Sequence, residues 1–365
     1  MEATLVAVVV VALFFDFTNG FHDTANSIAT TVSTRAMSPR AAVLMAAVLN
    51  VAGAFVSFEV AATIAKDIVD QEAITLSIVL AGLVGAITWN LITWFYGLPS
   101  SSSHALIGGM LGSAVVASGW GVVNLGGIRE KVLVPSLLAP FLGVAIAFVL
   151  ILAITWMVAR RRPTRVNWFF RRAQLVSGGF VAFTHGTNDA QKTMGVIVLA
   201  LVINGDLAAG ADPPFWVIVS AATAIALGTY MGGWRIIKTM GSRILMMDTA
   251  QGFAAQGGGA AVILAASHVG FPLSTTHTIS GGVMGAGAAK RLSAVRWGVA
   301  GNIVVAWVLT LPAAAVIGAG TYGLTRLFGT GAVGPLIISV AIVAGIGAAF
   351  VRRLRRGSVI SAAEA

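Results

Sequence analysis

Hydrophobic runs of membrane-crossing length alternate with short polar breaks along nearly the whole chain. The first run, from about 3 to 34, is far longer than the ~20 residues a helix needs to cross a bilayer. Asn19–Gly20 lies near its middle, which predicts a broken helix. Crossings are expected at 41–64 and 73–96, then a polar interruption from Pro99 to His104, an apolar stretch at 105–118 and a crossing at 132–157. The second half repeats this plan. An overlong, interrupted segment at 173–203 precedes crossings at 214–234 and 244–268, an interruption from Pro272 to His277, a run at 278–289, and spans at 297–318 and 333–350. The expected fold is an all-α integral membrane protein with broken helices and about 11–12 membrane segments.

Two motif pairs relate the halves. Gly97–Leu98–Pro99 with Ser101 and His104 matches Gly270–Phe271–Pro272 with Ser274 and His277. The polar stretch from Thr18 to Asn26 matches the one from Thr184 to Lys192 in the same order and at nearly the same spacing. This indicates an internal repeat: a first transmembrane repeat at 1–157, a basic linker at 158–172, a second repeat at 173–318, and a final helix with a basic tail at 319–365. The arginines of the linker, from Arg160 to Arg172, place it in the cytoplasm by the positive-inside rule. Following the basic loops puts the amino terminus outside, residue 35 inside and the carboxyl terminus in the cytoplasm. An odd number of crossings per half makes the halves antiparallel, the inverted repeat of secondary transporters. That count takes 99–118 and 272–289 as full crossings rather than re-entrant hairpins.

Composition agrees with a bilayer environment. Hydrophobic residues make up 57% of the chain and charged residues 10%, with mean hydropathy +0.91, outside the range of soluble domains. Cysteine is absent, which removes disulfides and thiolate metal sites. The net charge of +10 sits in short loops and the tail, so it orients the protein in the membrane and does not suggest a nucleic-acid partner. No nucleophile–base pair or metal-ligand spacing stands out, so neither an enzyme nor a resident metal or cofactor is expected.

Carboxylates at membrane depth are costly unless they bind something or line water. Asp23 and Asp189 occupy matched places, which suggests one shared site. Ser101, Ser102 and Ser103, with Ser274, Thr275 and Thr276, put hydroxyls just after a proline, where new helices begin. Helix starts attract anions, and two hydroxyl-lined starts fit a small tetrahedral oxyanion. The aspartates would repel a lone anion. They are therefore open to four roles: holding Na⁺, holding a divalent metal that enters with the anion, carrying protons, or accepting hydrogen bonds from a protonated oxyanion. Asn26 lies three residues after Asp23 and Lys192 three after Asp189, each on its aspartate's helical face. The Lys192 ammonium would fill one cation position, which leans the reading towards proton or metal–anion co-transport. Asn19, His22, His104, Asn188 and His277 are further candidates for coupling, histidine because it titrates near ~6.5. Asp16, Glu59 and Asp248 also fall at membrane depth; Asp16 has no acidic counterpart at Ala182.

The stretch Asn19–Gly20–Phe21–His22–Asp23–Thr24–Ala25–Asn26, with His185–Gly186–Thr187–Asn188–Asp189, resembles the duplicated signature of the PiT inorganic phosphate transporter family. Pro272–Leu273–Ser274–Thr275–Thr276–His277 is similar to its second element. The resemblance covers nearly the whole chain. It implies a symporter of inorganic phosphate; the expected partners are the lipid bilayer, a coupling cation and, for a transporter of this size and type, a second copy of the chain in a homodimer. It also implies coupling to H⁺ in many bacterial members, often with phosphate carried as a complex of Mg²⁺ or another divalent cation, and to Na⁺ in others. Asp23, Asn26, Asp189 and the two hydroxyl clusters match its expected phosphate and cation positions. Two residues depart from the pattern: His22 stands where the first signature has asparagine, and Lys192 where the sodium-coupled relatives have asparagine after Asp189. The long soluble loop of animal members is absent, only residues 158–172 joining the halves; the expected location is the plasma (inner) membrane of a prokaryote. The nearest other reading is a permease for sulfate or another oxyanion.

Overall fold

The computed structural model describes residues 2–68 and 73–327 and isolated positions between 334 and 348. Asp70, Glu72, the tail arginines and most of the span expected at 333–350 lie outside the described residues. In the first half the chain forms helices α1 (Glu2–Ser33), α2 (Pro39–Gly53), α3 (Glu59–Lys66), α4 (Leu76–Tyr96), α5 (Ser102–Ser118) and α6 (Leu125–Val158). In the second it forms α7 (Pro163–Asn204), α8 (Phe215–Met231), α9 (Trp234–Arg243), α10 (Thr249–His268), α11 (Thr275–Lys290) and α12 (Trp297–Arg326). Helices α1, α4, α6 and α12 are each long and apolar enough to cross a bilayer, and α8 with α9, bent by 60°, forms a fifth such unit. Helices α5 and α11, at 17 and 16 residues, fall short of the ~20 that a full crossing needs.

The helices pack in a pattern that repeats between the halves. Helix α1 lies against α8 and α7 against α2; α4 lies against α5 and α10 against α11. The short helices exchange partners across the halves, α5 packing on α12 and α11 on α6. These contacts are consistent with an inverted-repeat transporter fold. Leu137, Phe141 and Val149 on α6, and Val304, Val308 and Val316 on α12, remain exposed. Bare apolar faces on helices of this length suit a lipid surround.

The breaks fall elsewhere than the sequence suggests. Helix α1 runs unbroken through Asn19–Gly20, and α7 runs unbroken for 42 residues through Gly186. The glycines serve close packing instead. A Cβ on Gly20 would stand 2.3 Å from the Ile225 carbonyl oxygen, and one on Gly186 would stand 2.1 Å from that of Asn50. Each glycine lets a long helix touch the backbone of its neighbour, as small residues do in membrane bundles. Replacing Gly186 by alanine is therefore expected to force α2 and α7 apart, at about 1–3 kcal/mol for overpacking. The checking measurement is thermal unfolding of the detergent-solubilised protein followed by tryptophan fluorescence, and a midpoint equal to that of the unaltered protein would contradict it.

The real interruptions precede α5 and α11, and they are alike. Helix α4 ends at Gly97, with φ 66°, and Gly270 follows α10 with φ 76°. At each end one amide reaches back a turn and a half, Leu98 N–H to Thr93 O and Phe271 N–H to Ala266 O, both at 2.9 Å. This is the left-handed glycine stop, and a proline commonly follows it. Pro99 and Pro272 do so here. Ser101 and Ser274 then cap the next helices, their hydroxyl oxygens accepting from the amides of His104 and His277 at 3.2 Å. The repeated sequence Gly-x-Pro-x-Ser thus stops one helix and starts another.

Candidate functional site

Helices α1 and α7 bring Asp23 and Asp189 together at the centre of the bundle. A carboxylate oxygen from each and a ring nitrogen of His185 lie within 4.8 Å of one another, so these three residues are placed to hold a cation. The start of α11 closes over Asp23. Thr275 Oγ1 donates to Asp23 Oδ2 at 3.4 Å and Thr276 Oγ1 to Asp23 Oδ1 at 3.3 Å. Asn26 Nδ2 donates to the same two hydroxyls at 3.2 and 3.0 Å. One element of the first half and one of the second are therefore tied into a single polar knot. From the other short helix, Ser103 Oγ donates to Leu273 O at 3.1 Å, and the buried Ser102 hydroxyl has no partner.

Lys192 and Asp189 form a buried ion pair, Nζ to Oδ1 at 2.5 Å, with both side chains 0% exposed. Nζ also donates to Leu273 O at 3.1 Å. Asn19 Nδ2 donates to Asp189 Oδ2 at 3.4 Å, and His185 Nε2 lies 3.3 Å from that oxygen. A buried pair is tolerable only when further hydrogen bonds support both charges; here Asn19 donates to the carboxylate and Leu273 O accepts from the ammonium. The ammonium sits between a carboxylate and a backbone carbonyl, the oxygen environment a bound metal cation would have. Asp23 is only 2% exposed, so the site is closed to solvent in this structure.

Other expected residues stand one layer away. His22 Nδ1 lies 2.6 Å from Asp23 Oδ1 and its Nε2 3.1 Å from Thr93 Oγ1, so His22 steadies the first aspartate. Asn188 Nδ2 donates to Ser267 Oγ at 2.9 Å and to Phe271 O at 3.2 Å, holding the interruption before α11. His104 and His277 pack edge to face at 4.9 Å between ring centres; His104 Nε2 is 2.5 Å from Ser136 Oγ, and the His277 ring lies tilted against Trp307 at 4.3 Å. Ser101 and Ser274 are helix caps. Each hydroxyl oxygen accepts one amide hydrogen bond from the helix it starts.

Sequence reasoning passed over Asn50, Thr93 and Ser100. Asn50 Oδ1 is 3.0 Å from His185 Nδ1 and its Nδ2 donates to Thr229 Oγ1 at 2.8 Å. Ser100 Oγ lies 3.3 Å from His22 Nε2. Asn50 had a signal, a lone amide amid the apolar run Ala42–Val51. Thr93 had none beyond its residue type.

Residues 19–318 match the phosphate transporter family. A protein of Mycobacterium tuberculosis named probable low-affinity inorganic phosphate transporter is 52% identical over 329 residues, 89% of this chain and 78% of its own. A protein of the same name from Bacillus subtilis is 44% identical over 319 residues, covering 87% of this chain and 96% of its own. Among solved structures, the sodium-dependent phosphate transporter superposes with a TM-score of 0.82 at 26% identity, covering 89% of this chain and 99% of the other.

Proposed function

Because the chain belongs to the phosphate transporter family, we propose that it is a secondary transporter carrying inorganic phosphate across a membrane in symport with Na⁺. The observation that carries this reading is the knot in which Asn26, Thr275 and Thr276 converge on Asp23 while α7 brings Asp189 beside it. The first-turn amides of α5 and α11 have no carbonyl partner within their helices. Together with the hydroxyls of Ser102, Ser103, Thr275 and Thr276 and the amide of Asn26, they supply donors to phosphate oxygens. A phosphate O–H donates to an aspartate, and Lys192 offsets part of the anion's charge. Alternating access then amounts to rocking the two halves about this point.

For the cation, the sequence leans towards H⁺ or a metal–phosphate complex, whereas the sodium dependence of the superposed transporter favours Na⁺. We assign the Asp23–Asp189 gap to that cation. The ring contacts of His104 and His277 are with each other, Ser136 and Trp307 rather than with an aspartate, so the reading routes no proton through them. The inverted orientation of the halves, with the amino terminus outside and the carboxyl terminus inside, rests on the basic loops, and pairing of two copies belongs to the same proposal.

Uptake of labelled phosphate into proteoliposomes tests the reading. An inward Na⁺ gradient at constant pH is expected to drive accumulation above equilibrium, with arsenate competing and excess sulfate without effect. Inhibition by sulfate but not arsenate would assign another oxyanion. Accumulation driven by a pH gradient alone would return the coupling to protons, and passive flux without accumulation would indicate a channel.

A further inference from the structure

The end of α1 and the starts of α7 and α10 enclose a cleft of about 850 Å³, lined in part by Thr34, Trp168, Arg171, Arg172, Asp248 and Thr249. That volume is in the range of ordinary ligand sites. Hydrogen bonds fix its walls: Thr34 Oγ1 on α1 donates to Gln174 Oε1 on α7 at 2.7 Å, and Thr249 Oγ1 on α10 donates to Asn167 Oδ1 on α7 at 3.2 Å. Its charge is positive and uncompensated. Among the described residues neither Arg171 nor Arg172 has a carboxylate partner. Asp248 in the wall does not serve as one, because its two oxygens accept from Lys290 Nζ and from the Gln251 amide. The Arg172 guanidinium lies over the Trp168 ring, 3.7 Å from its centre, and stacking of this kind holds the planar fork in a fixed direction.

Beside the cleft α7 carries an apolar track. Phe169, Val176 and Phe180 are exposed, and their spacing puts them on one helical face together with Arg172. We infer that the cleft binds the headgroup of an anionic phospholipid, Arg171 and Arg172 donating to its phosphate oxygens and an acyl chain lying along Phe169, Val176 and Phe180. Guanidinium groups take phosphate in paired hydrogen bonds, and basic pockets between membrane helices hold such headgroups. Free phosphate would use the arginines and not the track. A headgroup seated there bridges α1 and α7, the helices that carry Asp23 and Asp189, about three turns along α1 from Asp23. The binding stands whichever cation drives transport; only its assignment to the cytoplasmic leaflet rests on the orientation read from the basic loops.

Native mass spectrometry of the purified full chain in detergent, titrated with phosphatidylglycerol or with phosphatidylcholine, tests the site. One phosphatidylglycerol per chain is expected to bind about tenfold more tightly than phosphatidylcholine, since each arginine beside an anionic headgroup contributes roughly fivefold. R171Q/R172Q should bind the two lipids equally. R160Q/R161Q removes the same charge from the linker outside the cleft and should keep the preference. R172K keeps the charge but loses the planar fork, so it should retain only part of it. No preference in the unaltered protein, or a preference lost equally in R160Q/R161Q, would overturn the site. An adduct of inorganic phosphate that R171Q/R172Q removes, formed without any preference between the lipids, would give the cleft to the free anion and contradict the lipid assignment. Should R171Q/R172Q not fold, R172K and R160Q/R161Q decide, a full preference in R172K counting against the site.

Discussion

Replacing Asp189 by asparagine is expected to reduce phosphate accumulation in proteoliposomes to the level of protein-free vesicles. The change removes a ligand from the cation gap and strands the Lys192 ammonium, which is 0% exposed. Removing one partner of a buried ion pair costs about 3–5 kcal/mol, because the remaining charge is left uncompensated. Stability and transport therefore fall together, and a second variant separates them. In D189N/K192M both charges are gone, so thermal stability should return to within roughly 1–2 kcal/mol of the unaltered protein while uptake stays absent. Uptake restored along with stability would show that Asp189 serves the fold and not the site. The same reasoning makes D23N inactive with a smaller loss of stability, since the partners of Asp23 are His22 and two hydroxyls rather than an ammonium.

The second large effect concerns Lys192. Its Nζ lies 2.5 Å from Asp189 Oδ1 and 3.1 Å from Leu273 O, an ammonium in the surroundings of a metal ion. Asparagine there withdraws the tethered charge and offers a carbonyl oxygen in its place. K192N is expected to need one more Na⁺ per phosphate, so that the Hill coefficient for Na⁺ rises by about one and uptake at low Na⁺ collapses. K192M supplies no oxygen and should be inactive at every Na⁺ concentration. Uptake kinetics across a Na⁺ series would show both. An unchanged Na⁺ order in active K192N would mean that the lysine only neutralises its neighbour.

Much of this architecture was legible because the chemistry is unfavourable anywhere else. Two aspartates in apolar runs needed a common purpose, and Asp23 and Asp189 do meet. The paired Gly-x-Pro-x-Ser segments named the two helix interruptions, since a left-handed glycine, a proline and a capping serine each act through local backbone geometry. Gly20 and Gly186 misled because glycine in a long helix has two uses, breaking it and bringing a neighbour close. Only the tertiary structure shows that Ile225 and Asn50 press against them. The hydroxyl clusters were legible as groups but not residue by residue. Ser101 and Ser274 cap, whereas Thr275 and Thr276 donate to Asp23 and Ser103 donates to Leu273 O, and that division depends on where each helix begins. Asn50 stood out as a lone amide in an apolar run, but its role did not, because its partner His185 lies 135 residues away.

The most direct test of the central claim, that the two halves share one buried phosphate beside the Asp23–Asp189 cation gap, is an electron cryomicroscopy map of the protein in lipid nanodiscs with phosphate and Na⁺. Tetrahedral density within hydrogen-bond reach of Asn26, Ser102, Ser103, Thr275 and Thr276, absent without phosphate, is the predicted result. Phosphate density confined to the arginine-lined cleft of Arg171 and Arg172, with the central site unchanged, would contradict it.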